Sequence, residues 1–249
     1  MRRTILFVVF SAVLLPADAF LLNPNKRFVD TAAPPTHDLP EGDGQSPNLK
    51  YFTRDSREFS MSTGGLHGCT VLEIISRRAV YVAHYWESIS FAPDEDDINR
   101  FQSADKMFEL FVEKGLRQGI GKGNKPQQHS LERNAQYIDD EYIQAYLLIP
   151  SDDHNGNPGG YPQQSTRLKN IVGDILPRLK IRDSEQNDRW HEIQYQRVGS
   201  EHELLDTFRG RCLFKFDPQH PNTERGKKMK KAMFWNEDNP VAHHSDEWD

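Results

Sequence analysis

The run Val71-Leu72-Glu73-Ile74-Ile75-Ser76-Arg77-Arg78-Ala79-Val80-Tyr81-Val82-Ala83-His84-Tyr85-Trp86 decides the fold. Its two arms are rich in β-branched and aromatic residues, and the polar break Ser76-Arg77-Arg78 separates them, so it reads as two antiparallel strands closed by a tight turn. With the turn centred between Arg77 and Arg78, Ser76 faces Ala79, Ile75 faces Val80, Glu73 faces Val82 and Val71 faces His84. Side chains alternate with period two. Cys69 is therefore expected on the face of Val71 and His84, diagonal to the imidazole, with roughly 7–8 Å between the two backbone positions. A slip of one residue undoes this arrangement.

Immediately upstream stands Thr63-Gly64-Gly65-Leu66-His67-Gly68-Cys69. A thiol attacks a carbonyl carbon as thiolate or with a base beside it, so a nucleophilic cysteine needs a nearby imidazole and a third group to orient the ring. Cys69 and His84 supply the first two. Gly64, Gly65 and Gly68 suit a tight turn that presents the thiol with backbone N–H groups around Leu66 and Gly68 directed at an oxyanion. Thr63, six residues before Cys69, offers a hydroxyl to fix the tautomer and orientation of the imidazole.

Thr63, Leu66-His67-Gly68-Cys69 and His84 together resemble the active-site pattern of the bacterial cysteine glutamine deamidases: the cytotoxic necrotizing factor catalytic domain, a related translation-targeting lethal factor and the chemoreceptor glutamine deamidase. The resemblance spans roughly Thr63 to Glu87, with His67 where those families carry a small residue. It implies an α+β domain that hydrolyses a protein glutamine side chain to glutamate through a thioester on Cys69. His84 would be the base and Thr63 the orienting group, with no metal and no cofactor. Transglutamination would follow where an amine replaces water. The implied partner is a protein presenting an exposed Gln, which in the toxins of this kind is a host small GTPase or translation factor.

Two other readings stand beside this one. In an exported chain with two cysteines, Cys69 and Cys212 are candidates for a structural disulfide, which would make the protein a non-catalytic binding module. A cysteine peptidase pairing Cys69 with His191 or His202 is the third.

Outward from the hairpin, the N-terminus carries Met1-Arg2-Arg3, an apolar core from Thr4 to Leu15 and an Ala17-Asp18-Ala19 exit, so residues 1–19 are expected to be a secretory signal peptide. The apolar core is too short to span a bilayer, and no later segment approaches that length, which predicts a secreted protein without a membrane anchor. Removing two arginines and one aspartate takes the net charge from −6 to −7, which argues against a nucleic-acid partner. A monomer is expected. Residues 20–59, with Ala33-Pro34-Pro35 and Leu39-Pro40-Glu41-Gly42-Asp43-Gly44, read as a disordered arm or pro-segment, with Lys26-Arg27 as a possible processing point.

Downstream, the acidic run Asp94-Glu95-Asp96-Asp97 introduces a helix over Ile98 to Gly115, with Gly115 as its stop. Gly119 to Pro126 reads as a flexible loop lacking the ending of a phosphate loop. Gln136-Tyr137-Ile138 and Tyr142 to Ile149 read as strand material, Asp152 to Pro162 as a surface loop, and Gln164 to Lys180 as an amphipathic helix that Pro177 ends or kinks. Trp190 to Val198 and Arg211 to Phe216 alternate as strands, the latter placing Cys212, Phe214 and Phe216 on one face. Arg225 to Lys231 reads as a solvated charge run, and His243-His244 lacks the further ligands of a metal site. The expected architecture is an α+β catalytic domain over 60–235, with a mostly antiparallel β-sandwich-like core, two or three flanking helices and a flexible tail over 236–249.

Overall fold

The computed structural model describes residues 11–13, 48–52, 57–122, 125–151, 160–181, 187–199 and 207–249. They form an α+β protein with two mostly antiparallel five-stranded sheets. The chain divides into two compact units. One contains Glu41–Phe52 and Gly68–Gln194, the other Thr53–His67 and Tyr195–Asp249 together with the N-terminal residues.

The first unit holds the decisive hairpin. Its sheet runs β2 (Asn48–Tyr51), β5 (Ala79–Tyr85), β4 (Thr70–Ile75), β8 (Gln144–Pro150) and β9 (Trp190–Tyr195) in spatial order. β4 is central and antiparallel to both β5 and β8. On one face Leu72, Ile74, Tyr81, Ala83, Tyr85 and Leu147 pack with helical residues into one apolar cluster. The opposite face of the hairpin, with Val71, Glu73, Ile75, Val80, Val82 and His84, is equally buried. Burial on both faces explains why the two strands are apolar along their whole length.

The helices of this unit depart from expectation in instructive ways. In place of one helix over Ile98 to Gly115 the chain forms α1 (Glu95–Phe101), capped by Asp94, and α2 (Ala104–Phe108), capped by Ser103. A π-helical turn (Glu109–Glu113) and α3 (Lys114–Gln118) continue the second. The break falls at Gln102, whose φ is 77°. Gly115 lies inside α3 instead of ending it, and it is a packing glycine: a Cβ there would meet Gln128 Oε1 at 2.3 Å. Gly119 is the true stop. Its φ is +78°, and a Cβ would meet the Gln128 carbonyl at 2.6 Å.

The stretch expected as a flexible loop forms a small hairpin of β6 (Ile120–Lys122) and β7 (Lys125–Gln128), and residues 123–124 lie outside the described residues. Gln136-Tyr137-Ile138, read as strand, belongs to α4 (Leu131–Ile138), which starts where Ser130 Oγ accepts the Arg133 N–H at 3.0 Å. α5 (Pro162–Ile175) follows, and Pro177 ends it as a short 3₁₀ turn. The surface loop expected before α5 lies outside the described residues over 152–159.

The second sheet runs β1 (Ser11–Val13), β3 (Phe59–Thr63), β10 (Cys212–Asn222), β11 (Lys227–Asn236) and β12 (His244–Trp248). Phe59 packs on Phe214 and Phe216, and Phe216 on Trp248, which confirms the apolar face read from the alternation of β10. The tail read as flexible over 236–249 contributes β12, which pairs antiparallel with β11. Of the basic run read as solvated, Arg225, Lys227 and Lys228 are exposed, and Lys230 and Lys231 lie in this pairing. Lys231 Nζ sits 2.7 Å from Glu247 Oε1, and Lys227 bridges to Asp249. The arm over 20–59 is likewise not structureless throughout: β2 pairs with β5, and Leu49 packs against the first unit's core. Apart from 11–13, the residues read as leader lie outside the described residues, as do 20–47 and 53–56 of the arm. Among the described residues no helix is long and apolar enough to cross a membrane.

Candidate functional site

The register of the hairpin is fixed at its turn. Ser76 Oγ accepts the N–H groups of Arg78 and Ala79, both at 3.1 Å, and Ser76 N–H donates to the Ala79 carbonyl at 3.0 Å. Asp140 Oδ2 accepts the Arg77 N–H at 3.0 Å, and the Arg77 guanidinium lies 3.4 Å from the Tyr142 ring centre. A two-residue turn held this way leaves little freedom to slip. The pairing that results is Ile75 with Val80, Glu73 with Val82 and Val71 with His84, as expected from the sequence.

The ladder ends at Thr70 with Tyr85, and the same count carried one step further sets Cys69 opposite Trp86. Cys69 thus stands two residues before the partner of His84, directly ahead of β4. The His84 and Trp86 rings are 6.5 Å apart, centre to centre, and inclined by 41°. Cys69 is half-buried and Cys212 buried, and both are thiols.

His84 is 1 % exposed. Burial disfavours the charged ring and pushes its pKa down to about 4, so at neutral pH the imidazole is an uncharged base able to take a proton. Glu73, on the same face, is shifted the opposite way for the same reason: burial holds its carboxyl protonated well above the usual range. Tyr146, its partner on β8, is raised first by burial and then by Glu73.

The other sequence-derived candidates are placed as follows within their own units. Thr63 ends β3 in the other compact unit, where its register partner is Cys212. Leu66 spends both backbone groups on the turn. Its N–H donates to the Gly210 carbonyl at 3.1 Å and its carbonyl accepts from Val198 at 3.0 Å, so that N–H is not available to an oxyanion. A Cβ on Gly210 would meet the Leu66 carbonyl at 2.7 Å, which is why glycine stands there with φ +58°. His67 is exposed, and its Nδ1 donates to the Val198 carbonyl. Gly68 is buried directly before Cys69.

His191 does not serve the peptidase reading. It stacks on Tyr146 at 4.8 Å, and its Nε2 bonds Gln144 Oε1 at 2.8 Å. Tyr146 is level with Glu73, four residues along β4 from Cys69, so strand spacing puts His191 on the order of 15 Å from the thiol. His202 lies outside the described residues.

The buried acid of this face that the sequence reading passes over is Glu73. The signal was present: an acid at the centre of the most apolar strand, four residues after the cysteine.

No family model matches the chain, and no curated protein matches it. Among solved structures the chain is similar to the crystal structure of the C-terminal domain of CNFy from Yersinia pseudotuberculosis, with a TM-score of 0.24 and 10% identity. The match covers 76% of this chain and 58% of that one, so the chain spans less than two thirds of that domain's length. This is a weak structural neighbour, and nothing about that domain is carried over to this chain.

Proposed function

We propose that the chain is a cysteine-dependent protein-glutamine deamidase acting through Cys69 and His84. The observation that carries this reading is the pairing of Val71 with His84, which sets the imidazole diagonal to the Cys69 position on one face of one ribbon. A half-buried thiol and a neutral buried imidazole are the pair that acyl transfer needs.

In this mechanism the sulfur attacks the side-chain amide carbon while its proton passes to His84. The oxyanion is held by backbone N–H groups beside Gly68 and Cys69. His84 then gives the proton to departing ammonia, leaving a thioester. Water, deprotonated by His84, attacks the thioester and releases glutamate and the thiol. An amine in place of water gives transglutamination from the same intermediate.

The leader-like N-terminus supports a secreted protein, and the substrate class is a protein with an exposed glutamine, in an effector's case one belonging to another organism's cells. The test is mass spectrometry of candidate protein substrates incubated with wild type and with Cys69→Ala. A gain of about one dalton on glutamine that depends on Cys69 supports the reading. Equal spectra with both proteins across a proteome-wide lysate reject it.

A further inference from the structure

Val71 and Glu73 of β4 share the His84 face, Cys69 precedes the strand by one residue in the same alternation, and His84 lies directly across from Val71. The imidazole therefore has the thiol's position on one diagonal and the carboxyl's on the other. Each diagonal is about 7–8 Å between backbone positions, a gap that long and aromatic side chains close. An imidazole carries two ring nitrogens with distinct roles, one to take the nucleophile's proton and one to be held by an orienting oxygen.

Glu73 is 1 % exposed, and its Oε1 makes no hydrogen bond among the described residues. Facing it are Val82 across on β5 and Tyr146 across on β8, with His191 stacked on that tyrosine. None of these is a standing cation that would account for a buried acid. A leucine at this position would pack the same strand without an unsatisfied oxygen, so packing alone gives no reason for a carboxyl here. Polar groups buried at such a disadvantage cluster at functional sites.

We propose that Glu73 is the third member of the Cys69–His84 site, a positioning residue whose carboxyl oxygen accepts the imidazole N–H of His84 and turns the other ring nitrogen toward the thiol. The proposal rests on the reading of Cys69 and His84 given above, and it fills within a single hairpin the orienting role for which Thr63 is the sequence candidate. The carboxyl keeps its own proton throughout. The proton that moves is the thiol's, which passes to His84 as the sulfur–carbon bond forms and from His84 to ammonia as the carbon–nitrogen bond breaks. A neutral acceptor suffices, so an amide oxygen does the same.

The experiment is substrate-free. Full-length wild type, Glu73→Gln, Glu73→Leu, Glu73→Met and His84→Ala are alkylated with iodoacetamide at pH 7.5. Peptide mapping separates Cys69 from Cys212, and the thermal midpoint of each protein is recorded. Glu73→Gln is expected to alkylate at Cys69 within about threefold of wild type, and Glu73→Leu at least about tenfold slower, approaching His84→Ala. The leucine variant should melt no lower than wild type, which a merely structural carboxyl would not allow. Should the leucine variant fold poorly, methionine at the same position carries the comparison. Wild-type alkylation in both apolar variants overturns the role of Glu73, and loss in the glutamine variant overturns the neutral-acceptor mechanism. Wild-type alkylation in His84→Ala rejects the Cys69–His84 pair itself, a failure distinct from either.

Discussion

Replacing Glu73 by glutamine should change how stability depends on pH, and the sign follows from burial. In the folded chain burial keeps the Glu73 carboxyl protonated well above its ordinary value of 4.5, whereas the unfolded chain ionises there. Above that pH the folded state holds one more proton than the unfolded state, and stability falls by about 1.4 kcal/mol per pH unit for as long as the folded carboxyl keeps its proton. His84 works in the other direction. Its folded pKa is about 4 against an unfolded 6.5, so between those values the unfolded chain binds the extra proton. Over that window stability rises with pH by about 3 kcal/mol in total, then levels off. In wild type the two slopes oppose each other from pH 4.5 to 6.5. Glu73→Gln removes the falling limb and uncovers the rise. Urea unfolding followed by circular dichroism at pH 5, 6, 7 and 8 measures this, with the difference between variant and wild type taken at each pH so that other groups cancel. The variant's advantage should grow by about 1.4 kcal/mol between pH 5 and pH 6. A difference that stays constant between pH 5 and pH 6 means that the folded carboxyl is already ionised, and the neutral-acceptor argument for Glu73 is then lost.

Further outcomes follow from the same geometry. Ser76→Ala removes an acceptor used by two backbone N–H groups, so it should lower stability by about 1–2 kcal/mol and slow Cys69 alkylation by loosening the register. Gly119→Ala places a Cβ at 2.6 Å from the Gln128 carbonyl in a left-handed conformation, and thermal melting should show a loss of about 1–3 kcal/mol. Leu72→Ala empties part of the apolar cluster beneath the hairpin, with an expected loss of about 2–5 kcal/mol in urea unfolding. The rate of Cys69 alkylation should rise steadily with pH and show no plateau beginning near pH 4, because a ring with that pKa does not hold a standing imidazolium beside a thiolate.

The hairpin was legible because its information is local. Two β-branched arms and a two-residue polar break determine which residues face each other, and the pairing of Val71 with His84 follows by counting. β10 was legible for a similar reason, its alternation being uninterrupted from Cys212 to Phe216. β2 and β12 were not, since a four-residue Asn-Leu-Lys-Tyr segment and a polar His-Ser-Asp-Glu-Trp segment become strands only through partners distant in sequence. α4 was misread because Tyr137 and Ile138 suggested a strand. The better signal was Ser130 as a cap with Leu131, Ala135 and Ile138 at helical spacing. Gly115 and Gly119 look alike as helix stops in sequence, and only the approach of Gln128 separates a packing glycine from a terminating one.

Glu73 escaped notice for a physical reason that also bears on the chemistry. In a strand of Val, Leu and Ile an acid looks like a solvent-facing position, yet both faces of β4 are buried. The same burial acts on the two titratable groups of this face in opposite senses, lowering the base and raising the acid, so that both stand uncharged. A site built this way carries no charge before substrate arrives. In the proposed mechanism charge first appears when the thiol's proton moves to His84, where an oxyanion forms and water is displaced, conditions under which fixed dipoles count for most. An orienting group that is itself neutral adds no charge to bury, which is a reason for a protonated carboxyl at Glu73 to hold the imidazole without drawing its proton away.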